Sequence, residues 1–305
     1  WREVNTLITR HTTPLPGLID PATKLVHPHF TQTAVRSTRL SCRDPNLQQV
    51  PVRTDLGRLM RGVFVAFEGW KLLGADESQV ELRIMAHFSH DPAMLEAFHN
   101  GEDIHAKTTH IIFANRPDLE QRFDFYRKTG KNINFGLGYG ASEAKLVEVG
   151  LTRAEAAIAY PLLHNGYKGY FNWYEQQEAL VRRRGYVETI SGFRRYGYGI
   201  LANKEEEKQK VVRELINTII QGSAASLIKA SMIRIQQEIE NRNLLSRIFL
   251  QVHDELVFHA APEELPVLVP LVHYHMTTFP EFKLNVPIDV NIEVGDNWLD
   301  MSPVN

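Results

Sequence analysis

Cysteine is almost missing from this sequence; Cys42 stands alone. No internal disulfide can form, which excludes a disulfide-stapled scaffold and fits a reducing compartment. No apolar run reaches the roughly 18 residues that suggest a membrane-crossing helix, so no membrane role is expected. No secretory signal pattern opens the chain. Net charge is also scarce: 34 Lys and Arg against 36 Asp and Glu leave a formal −2. That argues against a surface coated in positive charge, but not against nucleic-acid binding, because phosphates are met by local patches. Internal repeats and low-complexity tracts are lacking, which excludes solenoids and repeat arrays. The first residue is Trp1 rather than Met, so the chain is expected to be trimmed, processed or cut from something longer.

What is present is ordinary globular material. The 305 residues are 43% hydrophobic, ample for a core in one large domain or two smaller ones. Basic clusters stand at Arg182-Arg183-Arg184 and Arg194-Arg195, and the acidic run Glu205-Glu206-Glu207 offsets them; read alone, each is a solvated surface. Residues 41–46 read as a loop. Residues 62–75 suggest two short strands around a turn at Glu68-Gly69. A helical pattern begins near Gln79. Residues 105–200 are mostly helical by pattern, with breaks expected at Gly150, Gly166 and Gly169, and 204–240 predict a long helix. Residues 247–260 predict two apolar strands around His253-Asp254-Glu255. A helix over 262–278 and a final strand ending at Gly295 follow. Strands at both ends and a helical block between them predict an α+β domain with a helical insertion.

Two acidic positions stand out. Asp76 follows an apolar run and precedes a helix, which places it at a strand end; by itself it reads as a cap or turn residue. His253-Asp254-Glu255 lacks the glycine or asparagine that tight hairpins favour. A turn that gives up good turn chemistry points to a site. Two carboxylates about 4 Å apart repel by roughly 4 kcal/mol at an effective dielectric of about 20, a cost that a divalent cation removes. Oxygen ligands suit Mg²⁺, completed by water and substrate phosphates. Two such ions about 3.5–4 Å apart can clamp an in-line displacement. No Cys/His cluster has zinc spacing.

Arg127, Lys131, Phe135 and Tyr139 recur every four residues, so on a helix they share one slowly drifting face. Cations followed by aromatics form a phosphate-then-base surface. The plain alternative is a surface helix with core aromatics. Cations in the first turns oppose the helix dipole, and Gly130, Gly136, Gly138 and Gly140 each cost a helix up to about 1 kcal/mol. Stability alone does not select such a sequence.

Taken together, these stretches resemble DNA polymerase family A. Asp76-Glu77-Ser78-Gln79-Val80-Glu81-Leu82-Arg83 is similar to motif A. Arg127-x-x-x-Lys131-x-x-x-Phe135-Gly136-x-x-Tyr139-Gly140 is similar to motif B. Gln251-Val252-His253-Asp254-Glu255 is similar to motif C. Arg39-Leu40-Ser41, Asp44 to Gln48, Asn217-x-x-x-Gln221-Gly222 and the ending Val294 to Leu299 agree, over about residues 20–300. The resemblance implies a right-hand α+β fold: an antiparallel palm sheet with helices, interrupted by helical fingers. Residues 1–104 would be palm with motif A, 105–203 fingers, and 204–305 palm with motif C. It implies a DNA-directed DNA polymerase acting on primer-template DNA and dNTPs with two Mg²⁺ ions. Asp76, Asp254 and the backbone carbonyl of Glu77 would be metal ligands, with Glu255 in support. Lys131 and Arg127 would hold the triphosphate, joined by His105. Phe135 and Tyr139 would meet sugar and base, Gln79 would belong to the nucleotide site, and Glu81 would exclude a ribose 2′-OH. Arg39, Arg213, Asn217, Gln221 and His253 would contact template or primer.

The pattern departs from the family in places. Glu77 replaces a tyrosine, an extra charge expected in the pocket. Thr38 replaces a glycine before Arg39, with a shifted Arg39 expected, and Gly130, inside the motif B helix, is expected to loosen finger closure. Few residues precede the matching region, so thumb and exonuclease domain are expected to be absent from this chain. A second polypeptide would supply them, or the chain is a piece of a split or cleaved polymerase. The expected setting is cytoplasmic, or a viral protein in a host cytoplasm. A single-subunit RNA polymerase relative is one rival; Glu81 and His-Asp-Glu favour DNA. A degenerate DNA-binding subunit is another, and a metal-dependent nuclease a third.

Overall fold

The computed structural model describes residues 1–51, 54–138, 140–201 and 204–304. They form two compact units. The first comprises residues 1–78, 227–278 and 289–305; the second comprises 79–226 and 279–288. The divisions fall after Ser78 and within a long helix, not at 104/105 and 203/204. Helices that sequence position attached to the first block pack instead with the helical block.

The first unit is built on a five-stranded antiparallel sheet: β1 (Lys71–Glu77), β2 (Arg247–Val252), β3 (Glu255–Ala260), β4 (Val290–Gly295) and β5 (Met301–Pro303), in the order β2-β3-β1-β4-β5. Central strand β1 is covered on both faces, which is why it reads as an almost unbroken apolar run. Leu73 and Ala75 point into one core with Leu256, Phe258, Val290 and Ile292. Leu72 points into the other with Val257, Leu250 and Trp298. The expected strand before Glu68 is only a short helical turn, Met60–Val63, and an isolated bridge from Val65 to Asn297.

The second unit carries helices α1 (Val80–Ser89), α2 (Pro92–His99), α3 (Ile104–Phe113), α4 (Phe123–Leu137), α5 (Arg153–Gly166) and α6 (Lys168–Arg184). Helix α7 (Glu205–Asn241) has 37 residues, about 55 Å of rise. Its residues from 227 on belong to the first unit, where Ile228, Ile235 and Ile239 lie against the sheet core with Leu268 and Val272 of α8 (Leu265–Thr277). No helix among the described residues is long and apolar enough to cross a membrane.

Gly169, read as a helix break, and Gly130 both serve close approaches. Gly169 lies inside α6, and a Cβ there would sit 2.7 Å from the Asp91 Cα. Gly130 is buried inside α4, where a Cβ would lie 3.0 Å from the His105 carbonyl oxygen and closer still to Thr109 Oγ1. Gly130 therefore lets α3 and α4 approach closely. Gly130→Ala should destabilise the protein by about 1–3 kcal/mol despite the better helix propensity of alanine. Denaturant melts that show a gain would refute the close approach.

Candidate active site

Strands β2 and β3 are joined by a two-residue turn, His253-Asp254, with Val252 paired to Glu255. His253 takes φ 55°, the left-handed region that non-glycine residues seldom enter. The turn is held in place: Gln251 Nε2 donates to the His253 carbonyl, and Gln48 Nε2 donates to Gln251 Oε1 at 2.8 Å. Glu77 N–H donates to the Asp254 carbonyl at 3.1 Å. Asp76 pairs across the sheet with Glu255, and directly opposed residues share a face. The sheet thus brings Asp76, Asp254 and Glu255 to one end.

Their charges are only partly relieved by nearby arginines. By area Asp76 reaches solvent, yet it sits in a crowded recess of about 320 Å³ with Arg58, Arg61, Glu255, Glu293 and Trp298. Partial desolvation, then the charges of Glu255 and Asp254, push its carboxyl up to about 7 against the pull of Arg61; crowding rather than full burial acts on its proton. Burial raises Asp254 as well, with Arg39 opposing; Arg39 Nη2 stands 3.6 Å from Asp254 Oδ1. Among the described residues no cluster of three His, Cys, Asp or Glu side chains is set to hold a metal. The carboxylates gathered at this end of the sheet nevertheless form a hard-oxygen set, which fits an ion that keeps water and takes further ligands from substrate.

Glu255 is clamped: Trp298 Nε1 donates to Oε1 at 2.8 Å, and Arg61 Nη2 lies 3.5 Å from Oε2 with its guanidinium 4.0 Å over the Trp298 ring. Arg61, Trp298 and Gln48 carry no local signature of these roles, because each partner is far away in sequence. Thr38 takes φ 64°, which explains why a glycine suits that position, and Arg39 still reaches Asp254.

Glu77 corrects an expectation. Alternation along β1 turns it away from Asp76, and it is 3% exposed. Neither carboxylate oxygen has a hydrogen-bond partner. Burial, then Asp254 and Asp76, raise its carboxyl well above the usual range. The side chain expected to add charge to the pocket instead faces the other side, buried and with its carboxyl raised. A raised carboxyl holds a proton that the unfolded chain releases, so stability falls as pH climbs above the unfolded value. Glu77→Met should therefore stabilise by about 1–3 kcal/mol, more at pH 8 than at pH 5. Equal melting shifts at both pH values would refute this.

The basic-aromatic face lies in the second unit. Arg127 Nε contacts Asp103 Oδ2 at 2.5 Å, and Asp103 Oδ1 caps α3 by accepting from the His105 and Ala106 amides. Lys131 Nζ lies 5.8 Å from the Phe135 ring, which is 56% exposed. The His105 ring is 6.1 Å from Phe135. Tyr139 lies outside the described residues. Arg213, Asn217 and Gln221 share one face of α7 at intervals of four; a Cβ on Gly138 would stand 3.1 Å from Asn217 Oδ1. Gln79 precedes α1 with φ 54°, and Glu81 lies in the first turn of α1. The first unit holds a larger cavity, about 800 Å³, lined by Phe30, Phe64, Phe67, Ile248, Phe249 and His259; none of the predicted site residues lines it.

The family model for DNA polymerase family A matches residues 1–300. The chain belongs to DNA polymerase family A. Within that family it is 38% identical over 306 residues to the thermostable DNA polymerase I of Thermus aquaticus, covering 98% of this chain and 35% of that protein. It is 36% identical over 305 residues to DNA polymerase I of Chloroflexus aurantiacus, covering 100% of this chain and 32% of that one. The chain thus spans about a third of the length of these family A relatives. A solved structure of the POL domain of Pol1 from M. smegmatis, in complex with DNA primer-template and dNTP, superposes with a TM-score of 0.87 at 35% identity. The match covers 93% of this chain and 50% of that one.

Proposed function

We propose that the chain carries the nucleotidyl-transfer site of a template-directed DNA polymerase and adds deoxynucleotides from dNTPs to a primer 3′-OH. The observation that carries this reading is the gathering of Asp76, Asp254 and Glu255 at one end of the sheet, where desolvation, then the charges of Glu255 and Asp254, lift Asp76 to about 7. The family match and the likeness to a polymerase domain bound to primer-template and dNTP support it. The first unit then corresponds to the palm and the second to the fingers.

Asp76, Asp254 and the Glu77 carbonyl would hold the divalent ions, for which Mg²⁺ is the hard-oxygen choice. When bound, such ions acidify the primer hydroxyl and neutralise charge on the departing pyrophosphate. Glu255 keeps the Asp76 end of the sheet in place through Arg61 and Trp298. Arg127 and Lys131 bind the triphosphate, and Lys131 gives pyrophosphate its proton. Glu81 excludes a 2′-OH, Phe135 and Tyr139 serve the base, and Gln79 borders the nucleotide. Arg39, Arg213, Asn217, Gln221 and His253 contact primer or template. Positioning and charge neutralisation supply most of the rate, as in phosphoryl transfer generally.

Primer extension with the purified chain, Mg²⁺ and either dNTPs or rNTPs tests this, with and without candidate N-terminal fragments. Template-matched dNTP addition is expected, short without a partner fragment and long with one. Preferential rNTP addition would favour the RNA polymerase reading, and no incorporation in any arm would end the proposal.

A further inference from the structure

A buried polar chain runs through the second unit and ends on His105. It begins at Tyr167, between α5 and α6 and wholly buried. Burial holds the Tyr167 phenol protonated, so its O–H needs an acceptor, and Thr108 Oγ1 lies 2.7 Å away. Thr108 Oγ1 is 2.8 Å from Asn134 Oδ1. Asn134 has no exposed surface. Its Nδ2 lies 3.4 Å from the Ile104 carbonyl oxygen and 2.9 Å from His105 Nδ1.

The amide is placed with Nδ2 toward the Ile104 carbonyl, which can only accept, and with Oδ1 toward Thr108 Oγ1, which also lies 2.8 Å from that carbonyl oxygen. The second N–H of the same group then points to His105 Nδ1, which must accept. An imidazole whose Nδ1 accepts is neutral and carries its proton on Nε2.

We infer that Asn134 is a positioning residue that locks His105 in the Nε2–H tautomer, so that the ring presents a neutral hydrogen-bond donor to the triphosphate of the incoming nucleotide. The inference rests on the reading of His105 as a triphosphate contact and deepens it. The charged groups facing His105 are Asp103 at the cap of its own helix and Arg127 and Lys131 from α4. Burial, aided by the two cations against Asp103, drives the imidazole down to about 4. A second charge there would repel Lys131 and Arg127; a neutral N–H adds a donor without that cost. Gly130 contributes as well, because the approach of α4 to the His105 backbone is possible only without a Cβ.

Long-range NMR of the full chain labelled with ¹⁵N-histidine reads the tautomer directly, with His105→Ala identifying the signal. Nδ1 should be unprotonated and Nε2 protonated from about pH 5.5 to about pH 8. Asn134→Asp keeps the shape but offers only acceptors, so the proton should move from Nε2 to Nδ1. The KM for dNTP should then rise about tenfold, the loss of one hydrogen bond to a charged group, with kcat changed less. Thr108→Val, a milder change that takes away the donor holding the amide oxygen, should give a mixed spectrum and a smaller rise. An Nδ1–H signal in the unaltered chain, or spectra unmoved by both variants, would overturn the role of Asn134. If the tautomer shifts as expected but neither Asn134→Asp nor His105→Ala alters the KM for dNTP, it is the nucleotide contact of His105 that fails.

Discussion

Replacing Asp254 with asparagine should slow nucleotide addition by at least about 10³-fold, roughly 4 kcal/mol of transition-state stabilisation. Duplex binding should change little, because Arg39, Asn217 and Gln221 are untouched. Stability should move the other way. Asp76, raised to about 7, keeps a proton in the folded state that the unfolded chain releases near pH 4. Without added metal, folding stability therefore falls as pH rises from about 4 through about 7, and levels off above. Asp254→Asn removes one of the charges responsible, so the variant should melt higher than the parent at pH 8 and show a shallower pH slope. Magnesium should raise the melting temperature of the parent, more at pH 8 than at pH 5.5, because below about 7 the ion must displace a proton. The variant should lose most of that gain. Full activity in Asp254→Asn, or identical pH slopes, would show that the two carboxylates do not work as a pair. Higher stability bought with lost chemistry is the expected sign of a functional site.

Removing the cations of α4 should cost nearly as much. Arg127→Ala and Lys131→Ala should each lower kcat/KM for dNTP by about 10²–10³-fold, the range for losing one well-placed donor to developing charge. The two losses should divide differently. Arg127 is steered by Asp103 through Nε, which leaves its terminal nitrogens to grip the triphosphate, so its loss should appear mainly in KM. Lys131, the candidate acid for pyrophosphate, should appear mainly in the single-turnover rate. An uncharged residue at Lys131 that keeps the full single-turnover rate would remove it from the chemistry. Asp103→Asn should raise KM only several-fold, since it frees Arg127 without deleting it.

How much of this was open to a reader of the chain differs from residue to residue. Asp76 at a strand end, Asp254 in a hairpin with poor turn chemistry, and the four-residue spacing from Arg127 to Phe135 are short-range patterns, and all appear as expected. The helical periods of 204–240 and 262–278 are likewise local, and both helices form. The first half of 62–75 misled, because an apolar run without a sheet partner collapses to a single bridge at Val65. Gly169 misled for a related reason: its glycine serves the backbone of Asp91, remote in sequence, rather than ending a helix.

Local chemistry in the sequence determined which segments became strand or helix, and which carboxylates and cations could do chemistry, because backbone periodicity and turn preference act over a few residues. Tertiary structure alone decided that Glu77 turns into the core, that Trp298 and Arg61 clamp Glu255, and that Asn134 meets His105. Those outcomes depend on strand register and on how closely two helices approach, and both are settled only when distant parts of the chain pack together.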